Sequence, residues 1–569
     1  MKKIYLFLAT WLLVAGCSQT FLDTQDLTKK NSDNCPATPK EANEALTGVY
    51  NIIPSMGGIN NILLISNIMS DDCLGGGGQN DRDPQAMEYF RVKIPNEYSV
   101  PWAQNYKGIF RANSLLNSVK KVTWKGSAER QRIFGEASFL RAYFYFDLAR
   151  LFGLVPLVTS PAPANNPKAT AEELYGQIAL DLKNAIDSLP ATPITTSWRT
   201  SNMGRVTKYA AEGYMARVFL FYTGYYQQTT LPLAGGGTIT KEQVIGWIDD
   251  VADNSGCTLI PEYRNMWPYA INEATSYGYV SKYHLNWVTD LGNTESIFEI
   301  PYCGLTMADW GSKNYYNNTV NLMSGHRDAT AKLPFGHGWG FGPVNPNFAH
   351  SWPDADTVRK TGSIWDQDAE KSYTSTYDFG ADMQWHETKY MQKKYIPINI
   401  TTSAGVVNYA VKLYGSINDI QLDNTQNIVL LRLSDVLLMG AELGGSRAQA
   451  YMDRVRTRSK LPSVPVTLDN IKNERRWELA FEGLRYFDLL RWYGPEAGVI
   501  IKQNETGATI YNMAAQTSIN ASDNGVFANI DQRVRDTGGF LMIPDDQIKL
   551  SIGILVQNDG WTNSADIMY

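Results

Sequence analysis

The stretch 128–152 does most to fix the class of fold. Ala137, Leu140, Phe144, Leu148 and Leu151 recur at steps of three and four, the spacing that lines one face of an α-helix. Gly153 and Pro156 then stop it, as a glycine at a helix end and a proline just beyond should. The same periodicity predicts helices over 41–53, 102–119, 171–189, 207–224 and 241–253, which come in neighbouring pairs. The run YAAEGYMARVFLFY at 209–222 sets small Ala and Gly beside larger Leu and Phe, as in a divergent tetratricopeptide helix. From about 257 to 426 the character changes to Tyr, Trp, Gly, Asn and Pro. Only short runs such as 295–300 are candidate strands there, and no series of strands long enough for a large sheet appears. Helices return over 428–443, 446–460 and 468–492. A mainly α chain follows, with a tetratricopeptide-like helical-pair scaffold carrying a loop-rich irregular subdomain.

The amino terminus sets the compartment. Lys2 and Lys3 precede an uncharged apolar run, 4–16, too short to span a bilayer. It ends in Leu-Val-Ala-Gly-Cys at 13–17, which is similar to a bacterial lipobox and makes Cys17 the expected acylated first residue of the mature chain. The organisation expected is therefore a signal peptide (1–16), a lipid-anchored tether (17–40), an N-terminal helical region (41–256), a ligand-binding insertion (257–426) and a C-terminal helical region with tail (427–569). Cys35, Cys73, Cys257 and Cys303 have no metal-ligand spacing, and either disulfides or buried thiols are compatible with them.

Composition narrows the function. A net charge of -6 supplies no basic footprint, so nucleic acid is not an expected partner. The five His form no paired metal spacing, so no metal or cofactor is expected. The glycine runs 75–78 and 336–342 lack the context of a phosphate loop, and no G-x-S-x-G elbow presents a serine nucleophile. The block at 473–492 mixes Glu474, Glu478, Glu482 and Asp488 with Arg475, Arg476, Arg485 and Arg491. Paired carboxylates could do glycosidase work. The three-residue steps Glu482/Arg485, Arg485/Asp488 and Asp488/Arg491 favour ion pairs along one helix instead. Arg141, Asp147, Arg432, Asp435 and Glu442 are expected to tie helices together, and Asp356 to pair with Arg359.

With 15 Trp and 32 Tyr, the chain has more ring surface than a core needs. Flat rings stack on pyranose faces, and planar polar groups meet hydroxyls. The candidate rings are Trp267, Trp287, Trp310, Trp339, Phe341 and Trp352. Trp310 and Trp339 stand out because ADWGSKN and GHGWGFG leave little apolar matter to bury a ring. Candidate polar partners are Asp72, Gln79, Asn80, Asp81 and Arg82 in SDDCLGGGGQNDRD.

Four blocks, in order, resemble the SusD/RagB family of Bacteroidota outer-membrane lipoproteins: GEASFLRAYFYFDLARLFGLVPLV (135–158), LLRLSDVLLMGAEL (430–443), NERRWELAFEGLRYFDLLRW (473–492) and FLMIPDDQIKLSIGILVQNDG (540–560). They follow a lipobox and the nearby Phe21-Leu22-Asp23. The resemblance implies about four tetratricopeptide-like helix pairs and a ligand face built from the region after the first helix and the later irregular region. It also implies a SusC-like TonB-dependent transporter as partner, an oligosaccharide ligand, attachment to the outer membrane through the N-terminal lipid, and no enzymatic activity. A secreted glycoside hydrolase, a binder of peptide or another nutrient, and an adhesive surface protein are the competing expectations.

Overall fold

The computed structural model describes residues 36–561 except 56–60, 273–276, 304–316, 328–331, 378–383, 404, 418, 420, 513–516 and 522–526. Cys17, Cys35 and Trp310 therefore lie outside the described residues. The mainly α architecture is as expected. Helices α1 (Pro39–Tyr50), α2 (Ser99–Ser118), α3 (Ser127–Phe152), α4 (Ala171–Ser188), α5 (Lys208–Tyr225) and α6 (Lys241–Asn254) pack in sequence, each from α2 onward against the one before it. Their starts are written locally. Thr38 with Glu41, Thr170 with Glu173 and Thr240 with Gln243 form reciprocal capping boxes that satisfy otherwise orphaned N–H groups. The Thr170 hydroxyl accepts from Glu173 N–H at 3.2 Å. Thr170→Ala is thus expected to lower stability by about 1 kcal/mol in chemical denaturation.

Helices α3 and α5 are buried almost all round, which explains their density of aromatics. Phe139 of α3 meets Tyr214 of α5 edge to face at 5.1 Å. Gly213 lets α5 approach its neighbours, because a Cβ there would lie 2.6 Å from Leu431 Cδ2. The second helical group comprises α7 (Leu433–Leu443), α8 (Ala448–Arg458), α9 (Leu468–Glu478) and α10 (Arg485–Tyr493). It joins the first through α6 against α7 and α5 against α10. Among the described residues every sheet has two strands, and no helix is long and apolar enough to cross a membrane.

Two expected helices are corrected. The segment 428–443 opens as strand β2 (Ile428–Arg432), antiparallel to β1 (Ser296–Ile300), before α7 begins. Ile-Val-Leu-Leu is apolar at every position, so periodicity cannot separate a buried strand from a buried helix there. The segment 468–492 is two helices, broken where Phe481 (φ 65°) and Gly483 (φ 74°) take left-handed conformations. The Asn67 side chain clamps the break, donating to Phe481 O at 3.1 Å and accepting from Gly483 N–H at 3.2 Å.

The break redirects the charges. Glu482 and Arg485 do not pair with each other along a helix. Glu482 receives Arg432 at 2.7 Å and Lys394 at 2.6 Å, while Arg485 reaches Asp71 at 2.7 Å. Asp488 does meet Arg491 at 2.7 Å, and it also accepts from Arg475 at 2.9 Å. Arg432 is the hub: it reaches Glu295 and Glu478 at 2.6 Å each, as well as Glu482, and all four side chains are buried. Arg141 binds Asp181 across α3 and α4 at 2.6 Å, Asp435 takes Arg475 at 2.7 Å, and Asp356 holds Arg359 at 2.7 Å. The acids of 473–492 that sequence alone left open to catalysis are structural.

Candidate functional site

Three segments far apart in sequence meet on one side of the helical frame. The first is rooted by Asp71 and Asp72. Arg485 and Arg476 reach Asp71 at 2.7 and 3.0 Å, and Arg476 reaches Asp72 at 2.7 Å. Burial alone would raise the Asp71 carboxyl, yet the two guanidiniums hold it well below the usual carboxylate range. For Asp72, burial wins over Arg476 and the neighbouring Asp71 charge adds to it, so its pKa lies above the usual value. Asp72 is thus a foundation of the loop rather than part of its face.

From this root the glycine run extends antiparallel to the second segment. Leu74 N–H donates to Pro343 O at 2.9 Å, Gly342 N–H to Gly75 O at 3.0 Å and Gly77 N–H to Gly340 O at 2.9 Å. The third segment joins through Trp385 N–H to Gly77 O at 2.6 Å. On its far side the second segment is held by backbone bonds from Trp339 to Leu322, Gly340 to Gly325 and Phe341 to Met323, each 2.8 Å. Glycine is required in this run. Gly76 has φ 70°, and a Cβ there would stand 2.2 Å from Gly340 O. Gly76→Ala should therefore cost on the order of 2 kcal/mol in denaturant unfolding and loosen the whole platform.

The platform gathers six of the expected residues. Gln79 and Asn80 are exposed at the loop tip beside Asp81 and Arg82. Asp81 accepts from Gly78 N–H at 2.7 Å and meets Arg327 at 3.4 Å. Arg327 also donates to Trp339 O at 3.3 Å, so it links the first and second segments. The half-buried Trp339 ring lies 6.2 Å from buried Phe341, edge to face. The Arg82 guanidinium sits over the half-buried Trp385 ring at 5.7 Å and donates to Gln85 at 3.2 Å. Gln79, Asn80, Asp81, Arg82, Trp339 and Phe341 are thus brought together, with Phe341 forming the base of the ring cluster.

Other expected rings are elsewhere. Trp267 is 2% exposed, edge-on to Tyr395 at 5.5 Å with Lys394 over its face, and Trp287 is 6% exposed against Tyr409. Trp352 is buried and donates Nε1–H to Asp356 at 3.1 Å. These three pack the interior of the insertion and present no face to a ligand. Arg327 and Trp385 are additions. Trp385 lies between Gln384 and His386, the same polar surroundings that singled out Trp339, whereas nothing local marks Arg327.

Behind the platform, buried Glu88 accepts from Gly75 N–H at 2.6 Å and meets His386 Nδ1 at 3.1 Å. Among the described residues no group of three or more His, Cys, Asp or Glu gathers to hold a metal. Cys73 and Cys257 are buried free thiols, and Cys303 is exposed and free. What the platform offers chemically is a pair of rings, two guanidiniums, a carboxylate and two amides, on a main-chain frame open to solvent. That set can stack on and hydrogen-bond a polyhydroxylated molecule.

Residues 294–561 match a family model described as the SusD family, and residues 73–220 match one described as starch-binding associating with outer membrane. A SusD-like protein of Bacteroides ovatus is 26% identical over 525 residues, covering 86% of this chain and 82% of its own. A SusD-like protein of Formosa agariphila is 24% identical over 518 residues, covering 86% and 91%. A solved laminarin binding SusD-like protein is 26% identical, with a TM-score of 0.68 over 92% of this chain and 100% of its own. Surface glycan-binding protein A from Bacteroides thetaiotaomicron, solved in complex with laminarihexaose, shares the fold at 22% identity and a TM-score of 0.68 over 92% of this chain.

Proposed function

This chain belongs to the SusD/RagB family, and from that premise we propose that it is an outer-membrane lipoprotein, anchored through acylated Cys17 and facing the cell exterior. In this role it captures an oligosaccharide and passes it, chemically unaltered, to a SusC-like TonB-dependent transporter. The observation that carries the reading is the convergence of Trp339 and Trp385 with Gln79, Asn80, Asp81, Arg82 and Arg327 on one solvent-facing platform. Stacking supplies affinity, and the planar polar groups supply orientation.

Capture without turnover suits the carboxylate on that platform. Asp81 is engaged by the Gly78 N–H and by Arg327, as a hydrogen-bonding group rather than one half of a pair flanking a scissile bond. A β-glucan is the first ligand to try, because the relative described as laminarin binding matches over most of both chains. The test is calorimetry of the purified chain with laminarin oligosaccharides, followed by a broad glycan array and a reducing-end assay on the hits. Saturable binding with no new reducing ends is expected. Failure to bind any glycan, or steady release of reducing ends, would overturn the proposal.

A further inference from the structure

One cation on the platform has no counter-charge. Arg82 is half-buried beside the exposed amides of Gln79 and Asn80, and among the described residues it makes no ion pair. Both acids next to it in sequence are engaged elsewhere. Asp81 takes the Gly78 N–H at 2.7 Å and Arg327 at 3.4 Å, and Asp83 takes Lys93 at 2.9 Å. Of the five N–H groups that a guanidinium carries, Arg82 uses one among the described residues, on the Oε1 of fully buried Gln85 at 3.2 Å. A guanidinium does not lose its charge at any ordinary pH, so a half-buried one without an acid weighs against the free protein until something outside it supplies the partner.

The same side chain is held in one pose. Its guanidinium lies over the Trp385 ring at 5.7 Å, within reach of the ring quadrupole. That ring is placed in turn by the Trp385 N–H on Gly77 O at 2.6 Å, and the tilted ring of His386 lies 5.5 Å from it. Stacking holds the plane of the fork and Gln85 holds one of its edges, so the remaining N–H groups are positioned before any ligand arrives. Hydroxyls of a neutral pyranose can accept from such a fork but leave its charge unanswered. An oxyanion with two acceptor oxygens answers both, because the fork meets it through two parallel bonds.

We infer that the platform is built for an acidic oligosaccharide, whose carboxylate or sulfate-ester oxyanion is received by Arg82 while Trp339 offers its ring to the sugar. The inference deepens the proposed glycan capture and rests on it. The field of the whole chain works against such a ligand, since the net charge is -6. A preference for acidic glycan is therefore a property of this site and not of general attraction.

The experiment compares three hexasaccharides on the purified chain: laminarihexaose, the same oligosaccharide with its C6 alcohols oxidised to carboxylates, and the same oligosaccharide sulfated at C6. Calorimetry at low salt is run on the parent, Arg82→Gln and Arg82→Lys. The parent should bind an acidic chain at least about tenfold more tightly than the neutral one, and the tighter of the two acidic chains names the oxyanion. Arg82→Gln should bring the acidic and neutral Kd values together. Arg82→Lys should keep about a third of the preference, because an ammonium supplies the charge without the fork. The ratio between chains is the readout, since a merely structural loss weakens all three alike. A parent that binds all three equally, or the neutral one best, would overturn the acidic preference and leave glycan capture standing. A preference that survives in Arg82→Gln would remove Arg82 as its receiver. No binding of any of the three, with a broad glycan array also blank, would bring down the platform as a glycan site and this inference with it.

Discussion

Trp339→Ala is expected to abolish retention of the chain in a laminarin affinity gel and to raise the calorimetric Kd at least thirtyfold, equivalent to about 2 kcal/mol. The melting temperature should fall by no more than about 2 °C. The argument is geometric. The backbone of Trp339 is held independently of its ring, by its N–H to Leu322 O and by Arg327 to its carbonyl, so the loop survives truncation. What disappears is one of the two half-buried rings on the platform. Trp385→Ala should give a smaller loss of the same kind, because it also releases the Arg82 guanidinium stacked on that ring. If both variants bind like the parent, the platform is not the ligand site.

Arg432→Met should be the most destabilising single change, costing about 3–5 kcal/mol in denaturant unfolding. The guanidinium touches Glu295, Glu478 and Glu482, all buried, and its loss leaves three carboxylates to share Arg458, Arg359 and Lys394. Adding Glu482→Gln to that background should recover part of the loss by removing one uncompensated charge. A shift under 1 kcal/mol for Arg432→Met would mean that neighbours or water replace the hub.

The same network sets the acid limit. Burial alone would raise Glu478, Asp435 and Asp71, but Arg458, Arg432 and Arg359 outweigh it at Glu478, Arg475 and Arg217 at Asp435, and Arg476 and Arg485 at Asp71. All three are therefore held well below their unfolded values. Between those folded and unfolded values the unfolded chain binds more protons, so the stabilisation is complete above the ordinary carboxylate range, starts to be lost within it and goes on falling until the pH reaches the depressed folded values. The denaturation midpoint should begin to drop below about pH 5 and fall most steeply below about pH 4. A flat profile there would show that these acids are not ionised partners in the folded chain.

How much of this could be read from the sequence depended on the range over which each signal acts. Helices with their own caps and stripes, such as Ala171–Ser188, were legible nearly to their ends. The break at Phe481 was not, because it is stabilised by Asn67, more than 400 residues away, and the one local sign, Gly483, is too weak by itself to end a helix. Arg432 read as a tie between helices, but its three carboxylate partners come from the turn just before β1, from the end of α9 and from the break after α9, which no local pattern connects. At the site, neighbours told the rings apart only partly. Small and polar flanks pointed to Trp339, which the structure leaves half-exposed. Trp267 and Trp287 sit in similarly irregular segments and are covered by Tyr395 and Tyr409 from more than 100 residues away.

The meeting of the three loops is written in peptide groups and glycines, not in the side chains that face outward. Residues such as Gln79, Asn80 and Trp385 can therefore be exchanged with little disturbance to the bonds that hold the loops in register. In the proposed role, a scaffold of this kind separates the task of standing firm from the task of choosing a molecule, so that retargeting it is a matter of redecorating one surface and leaving the architecture beneath untouched.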